Sequence, residues 1–151
     1  MPPPNTTAPN AAIAAAPLPA STLPVAILSY DRPQYLGPVL RSLRRQMRPG
    51  EPVTLFQDGA YNEHSARWKA DPAAIDACVA LFRAVFPWGE VHRSPVNLGI
   101  AGNYRRAETH CFVTRGAAQG LFLEDDLVLS RHYLAAIRRL LALAAADPRI
   151  A

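Results

Sequence analysis

Cysteine is scarce, with Cys78 and Cys111 alone in 151 residues. Two cysteines make no disulfide framework, and their spacing to the four histidines fits no zinc pattern. A reducing compartment follows, and the cytoplasm is the expected location. No stretch reaches the roughly 18 consecutive apolar residues of a bilayer span, so no integral membrane segment is expected. Charge is sparse too, at 19% of the residues. Lysine occurs once, at Lys69, and every other basic residue is arginine. The first 23 residues carry no charged side chain. A transit peptide wants arginine there, and a secretory signal wants an unbroken apolar stretch. Prolines interrupt the only candidate, Ala11 to Ala16.

What is present fits one domain behind a leader. Residues 1–22 are rich in proline, alanine, threonine and asparagine and are expected to be disordered, since they offer little apolar surface to offset ordering. Residues 23–151 form the domain, with enough chain to bury a core. Half of all residues are hydrophobic, which argues against wholesale disorder. The net charge of +4 is compatible with anionic ligands. Arginine forks suit phosphates, although a bias toward arginine also follows from genomic base composition.

From Leu23 the pattern alternates between strands and helices. Val25–Ser29 is a short apolar run of the kind buried in parallel sheets. A helix follows with Leu36, Val39, Leu40, Leu43 and Met47 on one face, ended by Pro49-Gly50. Val53–Gln57 is the second strand, followed by a loop from Asp58 to about Ala70. Asp71-Pro72 reads as an N-cap with proline at the first helical position, leading a helix that turns Ile75, Val79, Phe82 and Phe86 inward. Glu90–Arg93 is a short third strand. Asn97 to Asn103 reads as a loop, Tyr104 to Arg115 as a helix and Leu121–Leu123 as the fourth strand. Ser130 caps a last helix with Leu134, Ile137, Leu140 and Leu141 inward. Asp147 to Ala151 reads as a turn into a further strand, so the domain is expected to be incomplete at its carboxyl end. The fold class is α/β, a mostly parallel sheet with flanking helices. Ligands of such sheets bind beyond the strands' carboxyl ends, where the strand order switches.

The notable polar residues follow those strands. Glu124-Asp125-Asp126 places three carboxylates after an apolar run. Either a hard divalent cation such as Mg²⁺ or Mn²⁺ relieves their repulsion, or they form a solvated acidic turn near a helix start. In an extended segment Glu124 and Asp126 point one way and Asp125 the other. Ser29-Tyr30-Asp31-Arg32-Pro33 precedes the first helix, where backbone N–H groups and Arg32 suit an anion, or Asp31 simply caps the helix. Asp58-Gly59 ends the second strand; Asp58 either accepts from a nucleoside or makes an Asx turn, and Gly59 allows a positive φ. In Asn97-Leu98-Gly99-Ile100-Ala101-Gly102-Asn103 two glycines permit close approach to a ligand, and Asn103 is a candidate cap. Arg105 and Arg106 follow it. Arg41, Arg44, Arg45 and Arg48 stripe the first helix, either as a solvated face or as a site for acidic lipid or nucleic acid; no nucleic-acid partner is expected. His64, His92, His110 and His132 form no cluster.

Four of these motifs, in this order, resemble family 2-type glycosyltransferases of the Rossmann-like GT-A nucleotide-diphospho-sugar transferase fold. PVAILSYDRPQYLGPVLRSLRRQ resembles the family's first strand, donor loop and first helix. QDG resembles the end of its second strand, and NLGIAGNYRRA its asparagine-glycine donor segment. LFLEDDLVLSRHYL resembles its Asp-x-Asp region, with Glu124 in place of the first aspartate. The Arg-Pro, Gln-Asp-Gly and Glu-Asp-Asp combination is similar to N-acetylglucosaminyltransferases of N-glycan synthesis. The resemblance implies a nucleotide-diphosphate sugar donor, with a UDP-sugar foremost, and a glycan or other hydroxyl acceptor. It implies donor-binding roles for Ser29, Tyr30, Arg32, Asp58, Asn97, Gly99, Gly102, Asn103, Arg106, Glu124 and Asp125. Asp58 would meet the base, Arg32 the base or phosphates, Glu124 and Asp125 the ribose or sugar. Asp126 would ligate Mn²⁺ or Mg²⁺. The general base is expected beyond residue 151, so no catalytic residue is assigned and the chain alone is expected to be inactive. The alternatives are a non-catalytic nucleotide- or sugar-binding remnant, and a nucleotidyltransferase, whose usual glycine-rich first loop is missing from Ser29 to Pro33.

Overall fold

The structure is a computed structural model that describes Leu18 and residues 22–150. The disordered leader expected over residues 1–22 thus falls almost wholly outside the described residues. Leu18, within it, donates its backbone N–H to the carbonyl of Arg115 at 3.0 Å.

Four parallel strands form the sheet: β1 (Val25–Ser29), β2 (Val53–Gln57), β5 (Glu90–Arg93) and β6 (Leu121–Glu124). Their order is β5-β2-β1-β6, so β1 lies between β2 and β6. All five residues of β1 are buried, because both faces of this strand are covered. Val25 and Ile27 point to one side, with Leu55, Leu36, Leu40, Phe82 and Leu134. Ala26 and Leu28 point to the other, with Phe56 and Ala107. Alternation along a strand thus feeds two cores. The first is roofed by α1 (Pro33–Arg44), α2 (Pro72–Val85) and α4 (Tyr133–Ala146), and the second by α3 (Gly99–Glu108).

The helix α2 begins as its sequence states, with Pro72 in its first turn and the Asp71 carboxylate accepting the Ala73 N–H at 2.9 Å. Elsewhere the sequence reading needs correction. Asp31 does not cap α1, whose N-cap position is Arg32 with no side-chain bond. The loop after β2 contains an antiparallel hairpin of β3 (Tyr61–Asn62) and β4 (Arg67–Trp68), too short to show alternation. It is pinned by edge-to-face contact of Tyr61 with Trp68, centroids 5.4 Å apart. Helix α3 begins at Gly99 rather than Tyr104 and continues into a π-helical turn at Thr109–Thr114. Asn103 is therefore inside α3 and caps nothing; its amide donates to the Phe56 carbonyl at 2.8 Å.

At α4 the expected Ser130 cap is replaced by Gln46, from just beyond α1. The Gln46 side chain accepts the Leu134 N–H at 3.0 Å and donates to the Ser130 carbonyl at 2.9 Å. Leu134 is buried, and Ile137 and Leu141 pack against the core, but Leu140 is 60% exposed rather than inward. Asp147 to Ile150 closes a turn through the Ile150 N–H and the Asp147 carbonyl at 3.0 Å. Among the described residues no helix is long and apolar enough to cross a membrane.

Candidate functional site

Strand order fixes where a ligand fits. The chain leaves β1 through α1 toward β2 and β5, then returns through α3 to β6 on the far side of β1. The order therefore switches between β1 and β6, and a crevice opens beyond their carboxyl ends. A cavity of about 550 Å³ lies there. Its walls come from five separate segments: Leu28 to Arg32 at the end of β1, Asp58 after β2, Lys69 beyond the hairpin, the start of α3, and Glu124-Asp125 at the end of β6.

Two of these segments are clamped together by charge. The Arg32 guanidinium donates to Asp125 Oδ1, and its other terminal nitrogen lies 3.3 Å from Asp126 Oδ2. The Tyr30 N–H donates to Asp125 Oδ2 at 3.3 Å. Asp125 is 3% exposed, so its charge is costly despite these donors. Burial pushes its pKa up, and Arg32 opposes that push only in part. Burial works against the Arg32 charge as well, but the adjoining Asp125 prevails and raises its pKa. The alternation expected of an extended acidic triplet does not hold, because the strand ends at Glu124 and Asp125-Asp126 is a turn: Arg32 meets both aspartates, and Glu124 lines the cavity with the buried Asp125.

Asp58 organises the second wall. Its Oδ1 accepts the N–H groups of Gly59 at 2.9 Å and Leu98 at 2.8 Å. Its Oδ2 accepts the Gly99 N–H and the Asn97 amide, each at 3.1 Å. A carboxylate offers about four lone-pair sites, so protein donors engage them all. Asp58 is thus a cap for α3 supplied from β2, and α3 starts at Gly99 for that reason. Gly99 has φ +71°, a conformation open to glycine and costly for most side chains. Gly59, where the sequence allows a positive φ, does not adopt one. A Cβ there would sit 2.5 Å from the Val96 carbonyl carbon, so close backbone approach is its reason to be glycine.

Of the sequence candidates, Ser29, Tyr30, Arg32 and Asp58 line the cavity together with Asn97, Gly99, Asn103, Glu124 and Asp125. Three lie off it. Gly102 faces Leu98 within α3, where a Cβ would meet the Leu98 Cβ at 2.9 Å. Arg106 ties strand ends together, donating to the carbonyls of His92 at 2.8 Å and Gln57 at 3.3 Å. Burial lowers its pKa, with Asp58 opposing. Asp126 stands beside Arg32 outside the wall. The Tyr30 hydroxyl and Asn103 Oδ1 are buried without a hydrogen-bond partner among the described residues. Such atoms are rare and ask for a partner.

The sequence reading missed four contributors. Lys69 and Ile100 complete the wall, as does Asp31, whose motif suits either an anion site or a helix cap on sequence alone. The signal for Lys69 was its solitude, a single ammonium after a loop that faces acids. Gln57, fully buried, holds the turn after β1 by donating to the Tyr30 carbonyl at 2.6 Å. The histidines also need correction, because His92 and His110 do meet, with ring centroids 4.4 Å apart. Cys78 and Cys111 are free and buried, and burial raises both thiols.

Such a site suits a ligand that is partly anionic and partly hydroxylated. Arg32 and Lys69 are the cations of the wall, the amino end of α3 is taken by Asp58, and Glu124 offers an exposed acceptor. No family model, curated protein or solved structure matches the chain.

Proposed function

We propose that this chain is the donor-binding part of a metal-dependent glycosyltransferase of GT-A, family 2 type, taking a nucleotide-diphosphate sugar. The observation that carries this reading is the convergence of four distant segments on one cavity at the switch point of a parallel sheet. The donor loop at Tyr30 to Arg32, the Asp58 turn, the Asn97-Gly99 segment and the Glu124-Asp125 pair are the four motifs of the resemblance, and all four border that cavity. Its volume is in the range of small-molecule sites.

Within this reading each residue has a task set by its position. Arg32 and Lys69, the cations of the wall, attract the diphosphate. Glu124 accepts from ribose or sugar hydroxyls. Asp125, locked to Arg32 and Tyr30, fixes the donor loop against β6. Asp58 acts through the Asn97-Gly99 turn that it caps, so it is a positioning residue.

The metal of this reading comes from the resemblance, which gives Asp126 as the ligand of Mn²⁺ or Mg²⁺. Asp125 is engaged by protein donors, Asp126 pairs with Arg32 outside the cavity wall, and the oxygens of the acidic triplet do not gather around one point. Such an ion supplies Lewis-acid stabilisation of a leaving diphosphate.

The test is calorimetric titration of the full chain with UDP and a panel of nucleotide sugars, with manganese and with chelator. Saturable, manganese-dependent binding of one nucleotide sugar is expected. Absence of binding at millimolar ligand in the presence of manganese overturns the reading.

A further inference from the structure

Away from the crevice, on the α3 side of edge strand β5, a second group of side chains converges. Glu90 and His92 are two apart in a strand and so share a face. His110 reaches them from the π-helical turn that ends α3. Phe56, buried beneath, seats both imidazoles, with centroids 5.1 Å from His92 and 5.5 Å from His110. Nε2 of His92 lies 3.3 Å from Glu90 Oε2, and Nε2 of His110 lies 3.7 Å from the same oxygen. The three ligand atoms fall within 4.8 Å of one another.

These spacings are open to two uses of the cluster. Without an ion, His92 Nε2 and Glu90 Oε2 share a long hydrogen bond at 3.3 Å, whereas His110 at 3.7 Å is beyond one. A tetrahedral ion with ligand bonds of about 2.0–2.2 Å holds its ligand atoms about 3.4 Å apart. The observed 3.3 and 3.7 Å bracket that value. Arg115 takes Glu90 Oε1 at 2.7 Å, which orients the carboxylate and leaves Oε2 turned toward the rings. Two imidazoles and one carboxylate suit a borderline divalent transition ion, whereas the all-oxygen set of the crevice suits magnesium or manganese. The side chains of Glu90 and His92 are 44% and 36% exposed, so an ion has a path in.

We propose that Glu90, His92 and His110 form a binding site for a zinc-type divalent ion, which fastens edge strand β5 to the π-helical turn. The site is independent of the nucleotide crevice.

The experiment titrates the full chain with zinc chloride by calorimetry and with cobalt(II) by its visible absorption. Glu90→Gln, His92→Asn and His110→Asn are each expected to weaken binding by at least about tenfold, the scale seen when even outer partners of a metal are lost. His64→Asn and His132→Asn are expected to bind as the unmodified chain does. Circular dichroism without metal checks that each variant is folded. Histidine ring resonances of the unmodified chain give a second measurement that needs no variant. Zinc is expected to shift His92 and His110 and to leave His64 and His132 in place. No zinc binding below millimolar, shifts at His64 or His132 instead, or undiminished affinity in the three cluster variants overturns the proposal.

Discussion

The Asp58 carboxylate at the end of β2 accepts the N–H of Gly99, the first residue of α3, at 3.1 Å. A helix that lacks a local cap in sequence is thereby started from the strand beside it. Removing the charge while keeping the shape isolates this role. Asp58→Asn points an amide donor at N–H groups that need an acceptor. It is expected to destabilise the fold by about 1–3 kcal/mol, read as a lower urea midpoint with unchanged slope. An unchanged midpoint would show that solvent or a neighbour replaces the cap at no cost.

The two glycines beside Asp58 are constrained differently, and substitution separates them. Gly59 lacks room, so Gly59→Ala and Gly59→Asn are both expected to cost about 1–3 kcal/mol or more. Gly99 has room but a positive φ, so Gly99→Ala is expected to cost about 1–2 kcal/mol and Gly99→Asn less. Chemical denaturation of the four variants measures the pattern. Equal costs for Ala and Asn at Gly99 contradict the backbone argument.

Asp125 gives a pH signature. Its folded pKa is raised, chiefly by burial. The stability tied to its proton is fully present below the ordinary aspartate value of about 3.9 and is lost as pH rises through the folded pKa. Asp125→Asn removes this titration, while the half-exposed Arg32 regains water. The melting temperature of Asp125→Asn relative to the unmodified chain is expected to rise between about pH 4 and pH 7. The opposite slope would mean that the ion pair with Arg32 outweighs desolvation.

The nucleotide reading places an ion at Asp126. Asp126→Asn is expected to weaken manganese-dependent UDP binding by at least about tenfold, or 1.4 kcal/mol. Asp31 also lines the cavity, so Asp31→Asn is the informative comparison. If chelator leaves the affinity unchanged, or if Asp31→Asn is the more damaging change, the ion is not held by Asp126.

Strand identity and core membership were written locally. Val25–Ser29, Val53–Gln57 and Leu121–Leu123 are apolar runs too short to be helices, and burial on both faces needs nothing more. The Asp71-Pro72 start of α2 was legible because cap and capped group are neighbours in sequence. The starts of α3 and α4 were not, because Asp58 caps one and Gln46 the other from across the fold. A donor left open at a helix end is satisfied by whichever acceptor folding brings near, and sequence distance carries no trace of that. The crevice residues were recognisable because the strand-end rule assigns ligands to the carboxyl ends of parallel strands. Which of them face the cavity was decided only by packing. Arg106 turned inward to bridge β2 and β5, Gly102 turned toward Leu98, and Lys69 came in with the hairpin loop. His92 and His110 lie 18 positions apart with no motif between them. Only the return of the chain from edge strand through α3 to the π-helical turn sets both rings against Phe56. Local chemistry thus determined the elements and their buried faces, and tertiary contact alone decided which polar groups meet.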